Sequence, residues 1–77
     1  MKVKDTTPRE YWEDLMWTSE NAGEIHDLYE GEWIAVVNKK VVAHGRNGEK
    51  VEKEAAKLTG KKPGEIFTTF VEYRDTI

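Results

Sequence analysis

The stretch Tyr29-Glu-Gly-Glu-Trp-Ile-Ala-Val-Val-Asn-Lys-Lys-Val-Val-Ala-His-Gly45 constrains the fold of this chain more than any other. Two short apolar runs, Trp33–Val37 and Val41–His44, are separated by the polar Asn38-Lys39-Lys40 and bracketed by Gly31 and Gly45. β-Branched and aromatic residues suit a pleated, half-buried surface, and a short polar break marks where it turns, so the stretch reads as a β-hairpin. With Asn38-Lys39 as a two-residue loop, Val36 faces Val41, Ala35 faces Val42, Ile34 faces Ala43 and Trp33 faces His44. Alternation then puts Ile34, Val36, Val41 and Ala43 on one face, and Trp33, Ala35, Val37, Val42 and His44 on the other. Lysine is poor where such a turn wants φ > 0. A longer loop, with a different pairing, is the alternative.

Upstream, Thr7-Pro8-Arg9-Glu10 is a helix start: Thr7 can cap, Pro8 needs no N–H at the first helical position, and Glu10 can complete a capping box. Tyr11, Leu15, Thr18, Ala22, Ile25 and Tyr29 then recur at helical spacing, one stripe ending at Gly31, a residue fitted to the left-handed C-terminal position. A helix over residues 8–29 is expected, with a kink near Ser19–Gly23, because a glycine inside a helix costs about 1 kcal/mol relative to alanine. Downstream, Asn47 is placed to cap a helix over Glu49–Leu58 whose buried stripe is Val51, Ala55 and Leu58, with lysines and glutamates on the wet side. Gly60 ends it, Lys61-Lys62-Pro63-Gly64 turns the chain, and Ile66–Tyr73 reads as a last strand. In that strand Phe67, Thr69, Val71 and Tyr73 lie on one side, and Ile66, Thr68 and Phe70 on the other.

The order helix, strand, strand, helix, strand, with no repeat or linker, predicts a single α+β domain over residues 1–77. It comprises a flexible arm (1–6), a helical segment (7–30) and a ββαβ core (31–77). A crossover through the second helix makes the third strand parallel to the second. The first strand is the most apolar and takes the centre, giving a three-stranded antiparallel sheet of order 2-1-3. Helix 49–58 covers one face. The other face needs the N-terminal helix or a second subunit.

From about Asn21 onward the chain resembles a family of short archaeal and bacterial proteins known only as a domain of unknown function. The resemblance rests on Tyr29-Glu-Gly31-Glu-Trp33-Ile-Ala35-Val-Val, on Val41-Val42-Ala43-His44-Gly45, and on the charged helix and the closing Ile66-Phe67-Thr68-Thr69-Phe70-Val71. The chain departs from the family's usual Asp-Gly turn at Asn38-Lys39-Lys40, and its aromatic opening, Tyr11 to Trp17, extends beyond the shared core. The resemblance implies the hairpin–helix–strand fold and brings neither an activity nor catalytic residues.

At 77 residues, with no cysteine, the domain has no disulfide or thiolate metal site to help a small core. No apolar run approaches the roughly 18 residues that span a bilayer, and the N-terminus lacks a signal-peptide h-region, so a cytoplasmic protein without membrane contact is expected. A net charge of −3 with both signs interspersed argues against nucleic acid as a partner. Lys39-Lys40, Lys61-Lys62 and Arg46, with Phe67 and Tyr73 for base stacking, are the third-ranked reading.

The chemistry sought elsewhere does not assemble. His26-Asp27 with Glu30 has the spacing of a weak one-helix metal site, short of the three well-placed ligands of catalytic zinc, and reads as a solvated face. His44, opposite Trp33, reads as a ring packed on a ring. Gly60-Lys-Lys-Pro-Gly64 follows a helix and precedes a strand, the reverse of a phosphate loop. Glu10/Asp14 and Glu20/Glu24 read as solubilising pairs. The sequence thus offers no catalytic, cofactor-binding or metal site. What stands out is Tyr11, Trp12, Met16 and Trp17 within seven residues of one helix, more than a single face can turn toward a small sheet. A self-associating or protein-binding module anchored by Trp12, Met16 and Trp17 is the leading expectation, with a homo-oligomer or another protein as partner. A small-molecule binder or enzyme with an unrecognised site is the second.

Overall fold

The computed structural model describes residues 9–73; the arm over 1–6, the Thr7-Pro8 helix start and residues 74–77 lie outside them. Helix α1 (Arg9–Glu20) is followed by α2 (Ala22–Tyr29). The break falls at Asn21, within the span where the kink was expected. Its φ of −111° and ψ of 25° leave the helical region, while its side-chain amide donates to the Trp17 carbonyl at 2.8 Å. An asparagine that bonds back to the preceding turn holds a bend that glycine alone would leave loose. Gly31, at φ +81°, then turns the chain. A Cβ there would come within 2.6 Å of the Tyr73 ring, so both backbone and space require glycine.

Strand β1 (Trp33–Val36) lies at the centre of a three-stranded sheet, antiparallel to β2 (Val41–Gly45) on one side and to β3 (Phe67–Phe70) on the other, in the order 2-1-3. This is an α+β fold with the anticipated topology. Ile34, Ala35 and Val36 are fully buried because both faces of β1 are covered. Trp33, at the end of the sheet, is only half-buried. Its indole lies over Gly48, where a Cβ would come within 3.0 Å of the ring, and 5.5 Å from the Phe70 ring.

The hairpin loop has two residues. Val37 and Lys40 exchange backbone hydrogen bonds at 2.9 and 3.3 Å, and Asn38 and Lys39 take φ of 56° and 60°. These are the signs of a type I′ turn, formed with a lysine where glycine is usual. The longer loop is therefore ruled out. Below the turn the register departs from expectation: Val36 pairs with Val41, yet Ala35 pairs with Ala43, Ile34 with His44 and Trp33 with Gly45. Val42 is an extra residue in β2, a bulge, and it shifts everything beyond it by one. Ala43 consequently joins Val42 against the helix that follows the hairpin, and His44 turns to the opposite face, where its ring lies 4.8 Å from Tyr29 rather than on Trp33.

Helix α3 (Gly48–Thr59) covers one face of the sheet, with Val51 and Ala55 packed on Ala35, Val37, Ala43 and Ile66. Asn47 caps it by accepting the Lys50 N–H at 3.2 Å, and the Gly60 N–H closes it on the Ala56 carbonyl at 2.8 Å. Leu58, expected in the buried stripe, is 66% exposed, because the buried face of α3 is centred near Ala55 and takes in Ala56 and Thr59, which leaves Leu58 at its margin beside Lys50, Glu54 and Lys57. A 3₁₀ turn at Pro63–Glu65 leads into β3, which is shorter than the predicted 66–73. Past β3 the pairing continues by one residue: the Val71 N–H donates to the Glu32 carbonyl, and the Val71 carbonyl accepts from the Gly31 N–H, both at 2.8 Å. Helices α1 and α2 cover the other face through Ile25, Trp17 and Tyr29, packed against Ile34, Val36, Val41, Phe67 and Val71. The chain's own helices thus supply the second layer.

Candidate interaction surface

Successive residues of α1 project about 100° apart, which sorts its side chains into three sectors. Tyr11, Leu15 and Thr18 point to the sheet and to β3; the Tyr11 ring meets Phe67 edge-on at 5.6 Å. Asp14 and Trp17 point to the hairpin. Asp14, read from sequence as solvated, is only 5% exposed, and its Oδ1 accepts the Lys39 N–H at 2.8 Å. That bond ties α1 to the strained turn. Trp17 packs on the cluster of Ile25, Ile34, Val36 and Val71. Trp12 and Met16, one turn apart, occupy the third sector and are 50% and 59% exposed. Trp12 leans edge-on against Tyr11 at 5.6 Å.

Of the three anchors expected from sequence, Trp12 and Met16 therefore share one open side, and Trp17 lies about 140° round from Trp12 in contact with the core. Three residues on from Trp12 is Leu15, and seven on is Ser19. Both line a groove of about 310 Å³ between the helices and β3, together with Ala22, Ile25, Phe67 and Val71. The groove is mainly apolar, with Thr18, His26 and Glu72 as polar points. Trp12 and Met16 do not line this groove; Met16 borders a depression with Glu13, Trp17, Glu20 and Lys39 at the hairpin turn.

A family model matches residues 24–67, more than half of the chain. The chain belongs to the DUF5678 family. That family is described as one of unknown function. In this DUF5678 chain the matched segment runs from α2 to the first residue of β3, so α1 with Trp12 and Met16 lies outside it. No curated protein and no solved structure is significantly similar to the chain.

The remaining sequence candidates are dispersed over the DUF5678 fold. Among the described residues no three His, Asp or Glu side chains come together to hold a metal ion. The His26 Nδ1 lies 3.0 Å from the Ala22 carbonyl, within its own helix. His44 Nδ1 meets Glu32 Oε1 at 2.8 Å, an exposed pair. Phe67 is packed between Tyr11 and the core and is not free to stack on a base, whereas Tyr73 is 66% exposed. No helix among the described residues is long and apolar enough to cross a membrane. The sequence reading missed Asp14 and the open edge of β3. Asp14 is recognised only through a backbone N–H 25 residues away, which no local pattern announces. The edge could have been found, because an uncharged Ile66–Val71 in a strand placed outermost by the predicted order was already in view.

Proposed function

We propose that this DUF5678 chain is a small self-associating interaction module whose contact surface is the Trp12–Met16 side of α1. The observation that carries the reading is the exposure of a tryptophan and a methionine, 50% and 59%, side by side on a helix whose Tyr11–Leu15 and Asp14–Trp17 sectors are engaged by its own fold and whose remaining outer side is charged. Tryptophan and methionine are enriched where proteins meet, and fully burying a large apolar side chain is worth roughly 1.5–3 kcal/mol, so two of them can decide a small interface. A cytoplasmic setting suits a domain that carries no cysteine. The test is molar mass by light scattering. The wild type is expected to exceed the monomer's 8.9 kDa, and Trp12→Ser with Met16→Ser is expected to return it to that mass with its far-UV dichroism retained. A wild type that stays monomeric at about 1 mM, where even a very weak dimer is populated, would end this reading. The second reading, a small-molecule binder, draws on the groove, whose volume of about 310 Å³ lies at the low end for ligand sites.

A further inference from the structure

We propose that the second copy docks edge to edge on β3, joining two three-stranded sheets into one six-stranded sheet across a two-fold axis at Thr69. This rests on the self-association reading and specifies its geometry.

The N–H and C=O of Val71 point inward to Gly31 and Glu32, and in an antiparallel ladder the inward and outward positions alternate. Phe67, Thr69 and Val71 are therefore inward-bonded, and Thr68 and Phe70 direct their backbone groups out from the last strand of the sheet. Natural sheets blunt such an edge with lysine, proline or a bulge. The two edges of this sheet differ in that respect. β2 carries the Val42 bulge and His44, and is flanked by Lys39, Lys40 and Arg46. Ile66-Phe67-Thr68-Thr69-Phe70-Val71 has no charge, no proline and no glycine, the composition of a segment that pairs readily.

A second copy of the same edge fits because the pairing is self-complementary. Outward positions must meet outward positions, and the extended segment from Phe67 to Val71 is centred on Thr69. A two-fold there sets Thr68 opposite Phe70 of the second copy, Thr69 opposite its own counterpart, and Phe67 opposite Val71. No charged residue enters those five positions. The same axis keeps α1 and α2 of both copies on one face, beside the groove, with Trp12 of each joined to the seam through Tyr11 and Phe67. The arrangement also stops at two. Once β3 is paired, only the guarded β2 edges remain outermost, so the contact closes as an isologous dimer and does not grow into a fibre.

The experiment uses the absence of native cysteine. Thr69 opposite Thr69 is a non-hydrogen-bonded pair, with Cα atoms about 4.5 Å apart, within disulfide range. Full-length Thr69→Cys at micromolar concentration under mild oxidant should form a covalent dimer on the order of a hundredfold faster than Glu54→Cys, placed on the outer side of α3, because pairing holds the two thiols at millimolar effective concentration. Exchange of the Thr68 and Phe70 amides in the unmodified protein should slow as its concentration rises. That readout needs no substitution. A dimeric wild type in which Thr69→Cys links no faster than Glu54→Cys, and those amides exchange at one rate throughout, overturns the edge pairing and leaves the α1 surface as the interface. A wild type that is monomeric at all concentrations overturns both readings, and open-ended polymers overturn the closed dimer.

Discussion

On one flank of α1, Asp14 is 5% exposed and holds the Lys39 N–H, and Trp17 packs into the core. On the other, Trp12 and Met16 of the same helix are 50% and 59% exposed. Residue type does not separate the two flanks, since each holds a tryptophan and the buried one also holds a carboxylate. What separates them is the element across from each. The hairpin tip reaches the Asp14–Trp17 flank, and its turn presents a backbone donor that a carboxylate can accept. Trp12 leans on the Tyr11 ring and Met16 borders a shallow depression with Glu13, Trp17, Glu20 and Lys39, and neither contact covers them. The comparison teaches that a helix can be half structural and half available, and that topology decides which half is which.

The largest effect is expected at the core beneath the closed flank. Ile34→Ala should destabilise the domain by about 2–5 kcal/mol, because the side chain is fully buried between the sheet and the helices and the cavity cannot collapse from both sides. For so small a domain that is a large share of its stability, and a denaturant melt should show most of it lost. A midpoint close to wild type would mean that the helices do not close on that face. Next comes Asp14→Ala, which leaves the Lys39 N–H without its acceptor and should cost about 1–3 kcal/mol by the same melt. An unchanged melt would place Asp14 with the exposed flank. Lys39→Gly should act in the opposite direction. It relieves a lysine held at φ +60° and should stabilise by roughly 0.5–1 kcal/mol while keeping the Asp14 contact through the same N–H. On the open flank, Trp12→Ser with Met16→Ser should move the dilute monomer's stability by no more than about 0.5 kcal/mol. A larger loss would show that this flank too belongs to the core.

Most of the fold was legible in the sequence because each part depended on local chemistry. The Asn47 cap, the left-handed Gly31 and Gly60, the break near Asn21 and the centrality of Ile34-Ala35-Val36 follow from residues and their spacing. The Val42 bulge was not legible. Val41, Val42 and Ala43 are all small and apolar, so no residue marks which of them is extra, yet the choice decides the faces of Ala43 and His44. Leu58 kept perfect helical spacing, yet the face that α3 turns to the sheet is centred near Ala55, a rotation that helix periodicity alone does not fix. The candidate surface was legible in part. The aromatic surplus of α1 was plain, and the division between Trp12 and Trp17 follows from helix geometry, but their environments depend on a turn and an edge strand that come later in the chain.

The most direct test of the division between the flanks follows the three tryptophans separately. With 5-fluorotryptophan incorporated throughout, Trp12, Trp17 and Trp33 give three fluorine resonances that can be assigned by single substitution. On dilution from about 1 mM to about 10 μM, a range that spans weak to moderate self-association, the Trp12 resonance should move while that of Trp17 stays fixed. A Trp12 resonance that holds still across the whole range, or a Trp17 resonance that moves with it, would contradict the account.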